Sequence, residues 1–155
     1  MRRIACFAPL TTLALVGLIA PSAAPNRARA ADKAPELKPV PVNMHDFMEG
    51  VFQGPYKRLK TAMAAEPKDA AGWKAIRGDA LILAEGGNLL LTRQPDKSAA
   101  DWNKHSIASL DAGADMVRSA KAKDFAATKK AYEAMLGHCN ACHKQFEDGK
   151  HILAP

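Results

Sequence analysis

Apolar and polar residues alternate along most of the chain with the period of an α-helix. The clearest stripe lies in the last third of the chain, where successive core-facing positions recur at helical spacing. Its members are Phe125, Tyr132, Leu136, Cys139, His143 and Phe146. The stripe therefore predicts a helix that turns a cysteine and a histidine toward the core.

Capping residues and prolines divide the chain into four predicted helices. Asn43, followed by Asp46, can cap the first helix, which Pro55 should kink. Ser98 and Asp124 are the expected start signals of the third and fourth helices. The predicted ranges are 43–65, 69–92, 98–122 and 124–149. Because the joints are short, the pattern predicts an all-α fold, an antiparallel up-down-up-down four-helix bundle.

The composition agrees with an all-helical domain. Residues 31–155 contain 23 alanines but only 11 valines, isoleucines and threonines together, which is unfavourable for a sheet. A chain of 155 residues with 25% charged residues has room for one core, which excludes a large multi-domain enzyme. Glycine-rich phosphate loops, H-E-x-x-H motifs and nucleophile elbows are also missing from the sequence, so we expect no enzyme.

The N-terminus has the pattern of a secretory signal peptide at residues 1–30. Arg2 and Arg3 precede an apolar run over 4–20, and Ala28-Arg29-Ala30 is a small-x-small cleavage site. A retained membrane anchor is the alternative, although the run is short for a span and ends at a proline. The pattern therefore predicts export, to the periplasm or an equivalent space.

Cleavage after residue 30 would change the charge balance. It removes four arginines and leaves 18 basic against 16 acidic residues, a net charge of +2 in place of +6. The basic character belongs mostly to the leader, so it does not indicate nucleic-acid binding. The proline-containing residues 31–42 should form an extended lead-in, and residues 150–155 a short C-terminal tail.

The chemistry resides in the pentapeptide Cys139-Asn140-Ala141-Cys142-His143, a C-x-x-C-H motif, which attaches c-type haem. Residues three and four apart share one face of a helix, so both thiols can reach the vinyl groups along one haem edge while His143 lies under the iron. The motif predicts one haem c per chain, with Cys139 and Cys142 as attachment residues and His143 as the proximal iron ligand.

Three other interpretations of the cysteines remain open. A thioredoxin-like redox pair requires a βαβ context, which this alanine-rich sequence does not offer. A zinc site could use His138 beside the motif, but no second pair of ligands lies at finger spacing. A plain disulfide would leave His143 without a role.

Over residues 43–149 the chain resembles the cytochrome c′ family, exported four-helix-bundle haem proteins with C-x-x-C-H late in the last helix. The resemblance implies single-electron transfer when the iron has two protein ligands, exchanged with a redox protein partner. It implies binding of nitric oxide or carbon monoxide when one side is open. Family members are often homodimers, and many carry an arginine at the place of Met44, so that arginine's propionate contact has no equivalent here.

The distal side follows from helix register. If helices one and four are antiparallel, Met48 and His143 lie at the same level, ~7.5 and ~9 Å from their helix ends. Met48 is therefore the predicted distal ligand, with core packing as the alternative role. Weaker candidates are Met44, His45 and His105, and Gly86-Gly87 could make room for a flat macrocycle. A zinc-binding or purely structural bundle is the remaining non-haem hypothesis.

Overall fold

The computed structural model describes residues 37–155. The predicted signal peptide at 1–30, and the part of the lead-in before residue 37, lie outside the described residues. Within the described range the regular structure is entirely helical, as predicted. None of the helices in that range is both long enough and apolar enough to cross a membrane.

The first helix is built from three contiguous stretches. They are α1 (Met44–Phe47), a π-helical segment (Met48–Gln53) and α2 (Gly54–Ala62). Asn43 caps the start as predicted, because its Oδ1 accepts a hydrogen bond of 2.8 Å from the Asp46 backbone N–H. The π-helical segment was not predicted. It ends just before Pro55, the second residue of α2.

The other three helices are α3 (Ala70–Leu91), α4 (Ala99–Ala122) and α5 (Phe125–Phe146). Asp69 and Asp124 cap α3 and α5 by accepting a backbone N–H bond three residues on. α4 begins directly after Ser98, as predicted. The expectation that the Ser98 side chain caps the helix is wrong, because Ser98 has a left-handed φ of 60° and makes no side-chain capping bond.

The predicted end of the fourth helix at 149 is also wrong. The helix ends at Phe146, and the backbone N–H groups of Glu147 and Gly149 both bond to the carbonyl of His143. Asp148 and Gly149 have φ values of 51° and 73°, which turn the chain away from the helix axis. The following residues are consequently free to fold back.

The four helices pack against one another around one apolar core. Glycines allow α3 and α4 to approach closely: a Cβ on Gly113 would lie 2.9 Å from the Ala84 Cα, and one on Gly87 would lie 2.9 Å from the Ser106 carbonyl oxygen. The first helix is tied to α3 by Arg58, whose Nε and Nη2 donate three hydrogen bonds to the mostly buried carboxylate of Asp79. The packing leaves space for a site toward the C-terminal end of α5.

Candidate haem-binding site

The C-x-x-C-H motif lies in the last two turns of α5. Cys139, Cys142 and His143 are all partly buried, and both cysteines are free thiols. Tyr132 and Leu136, earlier on the same stripe, are buried in the core. The apolar stripe therefore directs the motif toward the interior, as the sequence predicted.

The motif borders a cavity of about 400 Å³. Cys142 and His143 line it from α5, Met48 and Phe52 from the first helix, and Trp102 from α4. A smaller adjoining cavity of about 30 Å³ is lined by Cys139 and shares Met48 and His143 with the larger one. The structure thus brings all four predicted site residues around two adjacent, mainly apolar spaces.

The candidate distal residues occupy different places. Met48 lines both cavities together with His143, whereas Met44 and His45 line only the larger one. His105 lines neither, and its Nε2 lies 2.9 Å from the Oε1 of Gln145 on the outside of α5. Among these candidates, Met48 is therefore the residue with most access to the space in front of His143.

Gly86 and Gly87 do not line the cavities. A Cβ on Gly86 would lie 2.6 Å from the Cζ of Phe52, and Gly87 is in close contact with α4. Gly86 therefore seats the Phe52 ring, and it is that ring which borders the cavity. The role of these glycines is close packing, and not direct accommodation of a macrocycle.

Burial keeps both thiols protonated. It raises the pKa of Cys139, whose Sγ lies 3.9 Å from the Ser109 hydroxyl oxygen, and raises the pKa of Cys142 to about 11. Reactive dithiols of the thioredoxin type need the opposite shift, because the thiolate is the nucleophile. The electrostatics do not favour a dithiol redox catalyst.

The ligand set also bears on the zinc hypothesis. Within residues 37–155, no three side chains of histidine, cysteine, aspartate or glutamate lie close enough together to hold a metal ion.

The His143 Nδ1 is 2.9 Å from the backbone carbonyl oxygen of His151. This bond leaves the other ring nitrogen, Nε2, as the available ligand atom.

The residues present fit a haem. The volume of the larger cavity is in the range of small-molecule and cofactor sites, about 300–1,000 Å³. Two thiols at helical spacing, one imidazole nitrogen and a thioether border the two cavities, and the remaining lining is dominated by apolar side chains. This donor set is that of a c-type haem site with histidine and methionine as ligands.

The C-terminal residues also contribute to the lining of the site, which was not predicted from the sequence. His151, Ile152 and Leu153 line the larger cavity, and Leu153 is held by two hydrogen bonds to Asn140 inside the motif. The Tyr56 hydroxyl donates to the carbonyl of Ala154. The available signal was an apolar pair, Ile152-Leu153, shortly after Gly149. We call residues 150–155 the C-terminal strap.

A lysine cluster lies at the other end of α5. Its members are exposed and flank the joint between α4 and α5: Lys121, Lys123, Lys129 and Lys130. Lys130 is 13 residues before His143, which is ~20 Å along the helix axis. The cluster is therefore remote from the cavity.

Comparison with models of known protein families and with curated proteins finds no match to this chain. The function is therefore inferred from the motif and the residues around it.

Proposed function

We propose that this protein is an exported c-type cytochrome that transfers single electrons through one covalently attached haem. Cys139 and Cys142 would hold the macrocycle, and His143 would bind the iron from one side. The observation that carries the proposal is the shared lining of one apolar space by Cys142, His143 and Met48, with Cys139 bordering the adjoining space.

The state of the thiols suits covalent attachment. In a thioether linkage each S–H adds across one vinyl C=C bond, so that the sulfur bonds to carbon and no oxidant is consumed. Reduced cysteines are required, and both cysteines are free thiols. Their separation of three residues puts both sulfurs on one side of α5.

The other residues of the site would serve electron transfer. When bound, the haem supplies an iron that alternates between the ferric and ferrous states by one electron. The Met48 thioether is a soft ligand that favours ferrous iron. Phe52, Trp102 and Phe146 would place apolar surface against the bound haem, which would restrict solvent reorganisation around a changing charge.

We also propose the antiparallel up-down-up-down order of the four helices. Support comes from side-chain contacts in which later residues of one helix meet earlier residues of the next. The contact pairs are Phe52–Gly86 and Arg58–Asp79, then Ala84–Gly113 and Leu90–Trp102, then Ser109–Cys139 and Trp102–Phe146. This order puts the start of the first helix beside the end of α5, as the register argument for Met48 requires.

Export and partner choice complete the proposal. The sequence of residues 1–30 supports cleavage and transfer to the periplasm, where a redox protein partner would exchange the electron. Because the lysine cluster is ~20 Å from His143, we propose docking near the mouth of the cavity instead, where His45 and His151 are exposed. Neither nucleic-acid binding nor an enzymatic activity is part of the proposal.

An optical spectrum of the purified protein tests the function. We expect a Soret band with the low-spin, six-coordinate features of histidine–methionine ligation. A high-spin spectrum with ready binding of carbon monoxide would support the gas-binding alternative. The absence of a Soret band, in a host that has c-type maturation machinery, would contradict both and leave a non-haem bundle.

A further inference from the structure

The C-terminal strap folds back over the C-x-x-C-H motif. After α5 ends, left-handed backbone conformations at Asp148, Gly149 and His151, with φ between 51° and 73°, reverse the chain. The strap then runs along the cavity mouth, so that Ile152 and Leu153 line the same space as Cys142. A segment without helix or strand is thereby fixed against the motif.

Asn140, inside the motif, holds the strap through both the oxygen and the nitrogen of its side-chain amide. Its Oδ1 accepts a hydrogen bond of 2.7 Å from the Leu153 backbone N–H, and its Nδ2 donates one of 2.9 Å to the Leu153 carbonyl. An asparagine amide has an acceptor oxygen and an NH2 donor next to each other, so it can bond at the same time to the N–H and to the C=O of one backbone residue. Aspartate or alanine cannot reproduce it.

A second anchor ties the end of the strap to the first helix. The carbonyl of Ala154 accepts hydrogen bonds from the Tyr56 hydroxyl at 2.9 Å and from the Lys60 ammonium at 3.2 Å. The strap is therefore fixed at Leu153 and at Ala154, and the position of the preceding residues is restricted.

The position of the strap affects His143, the proposed iron ligand. The backbone carbonyl of His151, two residues before Leu153, lies 2.9 Å from the Nδ1 of His143. A carbonyl can only accept, so Nδ1 carries the proton and donates it. That bond fixes the tautomer, leaves the Nε2 lone pair free, and restricts rotation of the ring.

We propose that Asn140 is a positioning residue for the axial histidine, which acts by holding the His151 carbonyl on His143 through the C-terminal strap. The inference rests on the proposed function, because it concerns the ligand of the haem iron. Donation to a carbonyl makes an imidazole more basic, and a more basic ligand stabilises ferric iron over ferrous iron. Loss of the bond should therefore raise the reduction potential.

Two variants test the proposal: Asn140→Ala and a chain that ends at Lys150. We expect each to shift the equilibrium constant for reduction by up to about tenfold toward the ferrous form, which is up to about 59 mV for one electron. Deuterium exchange of the backbone amides at 151–154 should be accelerated in Asn140→Ala. The matched control is Asn88→Ala, because Asn88 is exposed on α3 and its side chain bonds to Glu85 of the same helix.

The outcomes separate this proposal from the proposed function. A wild-type protein without attached haem would contradict the proposed function and remove the basis of this one. If wild-type protein carries haem but Asn140→Ala keeps both its potential and its exchange rates, the positioning role is wrong and the cytochrome assignment stands. If neither variant attaches haem, the strap is a folding element, and the positioning role is contradicted as well.

Discussion

Replacing Gly113 with alanine should separate α3 from α4. Gly113 lies on α4 against Ala84 of α3, and an added Cβ would lie 2.9 Å from both the Cα and the Cβ of Ala84. Carbon atoms in contact are normally about 3.5–4.0 Å apart. Since one of the obstructing atoms is backbone, a side-chain rotation cannot relieve the contact, and the two helices must move apart.

The loss of stability caused by the close contact can be measured by comparing Gly113→Ala with Gly78→Ala. Both glycines lie in helix interiors, so each substitution gains about 1 kcal/mol of helix propensity. A Cβ on Gly78 would meet no atom within 4 Å, whereas overpacking at Gly113 costs about 1–3 kcal/mol. The difference between the two variants isolates the packing cost, and we expect Gly113→Ala to be less stable than Gly78→Ala by that amount.

Urea unfolding of the two purified variants is the assay. With an m-value of about 2 kcal/mol/M, a difference of about 2 kcal/mol separates the midpoints by about 1 M. Gly78→Ala should unfold at or above the wild-type urea concentration. Equal midpoints for the two variants would refute the close contact between α3 and α4.

Three further predictions concern the site, the core and the leader. Met48→Ala should convert a low-spin spectrum to high-spin and allow carbon monoxide to bind, while Met44→Ala should do neither; a persistent low-spin spectrum in Met48→Ala would contradict ligation by Met48. Tyr132→Phe should stabilise the protein by about 1 kcal/mol, since within residues 37–155 the buried Tyr132 hydroxyl has no hydrogen-bond partner. Burial raises the pKa of Tyr132 from 10.0 to about 12, so between those pH values Tyr132 ionises in the unfolded chain but not in the folded protein. The free energy of unfolding of the wild-type protein should therefore fall over this pH range. Urea titrations of Tyr132→Phe should not show this fall. Intact mass of exported protein should give an N-terminus at Ala31, and a membrane-bound species retaining residues 1–30 would favour the anchor instead.

Local signals in the sequence predicted most of the helices. Asp69 and Asp124 are side chains that cap a helix by themselves, so the predicted starts of α3 and α5 agree with the structure. Ser98 directly precedes α4 as predicted, but its side chain makes no capping bond, so the start of this helix does not depend on the Ser98 hydroxyl. The predicted motif residues are brought together because the stripe on α5 follows from a regular helical period.

Features that depend on tertiary contacts were not predicted. The buried residues Phe47 and Phe52 are five positions apart, a spacing that a regular α-helix does not place on one face. The π-helical segment between them brings both side chains to the core. The spacing of the two phenylalanines was visible in the sequence. The reason for it was not, because Phe52 packs against Gly86, which lies on another helix. The C-terminal strap likewise depends on Asn140, whose amide pairs with backbone 13 residues away.

The most direct test of the haem assignment is extraction of the pigment with acid–acetone from denatured protein, followed by intact mass. Thioether bonds survive this treatment, so wild-type polypeptide should keep its colour and carry the mass of one haem. The double variant Cys139→Ala, Cys142→Ala, made in the same host, should lose all haem to the solvent. Haem that extracts freely from the wild-type protein, or never becomes incorporated, would contradict covalent attachment and with it the proposed function.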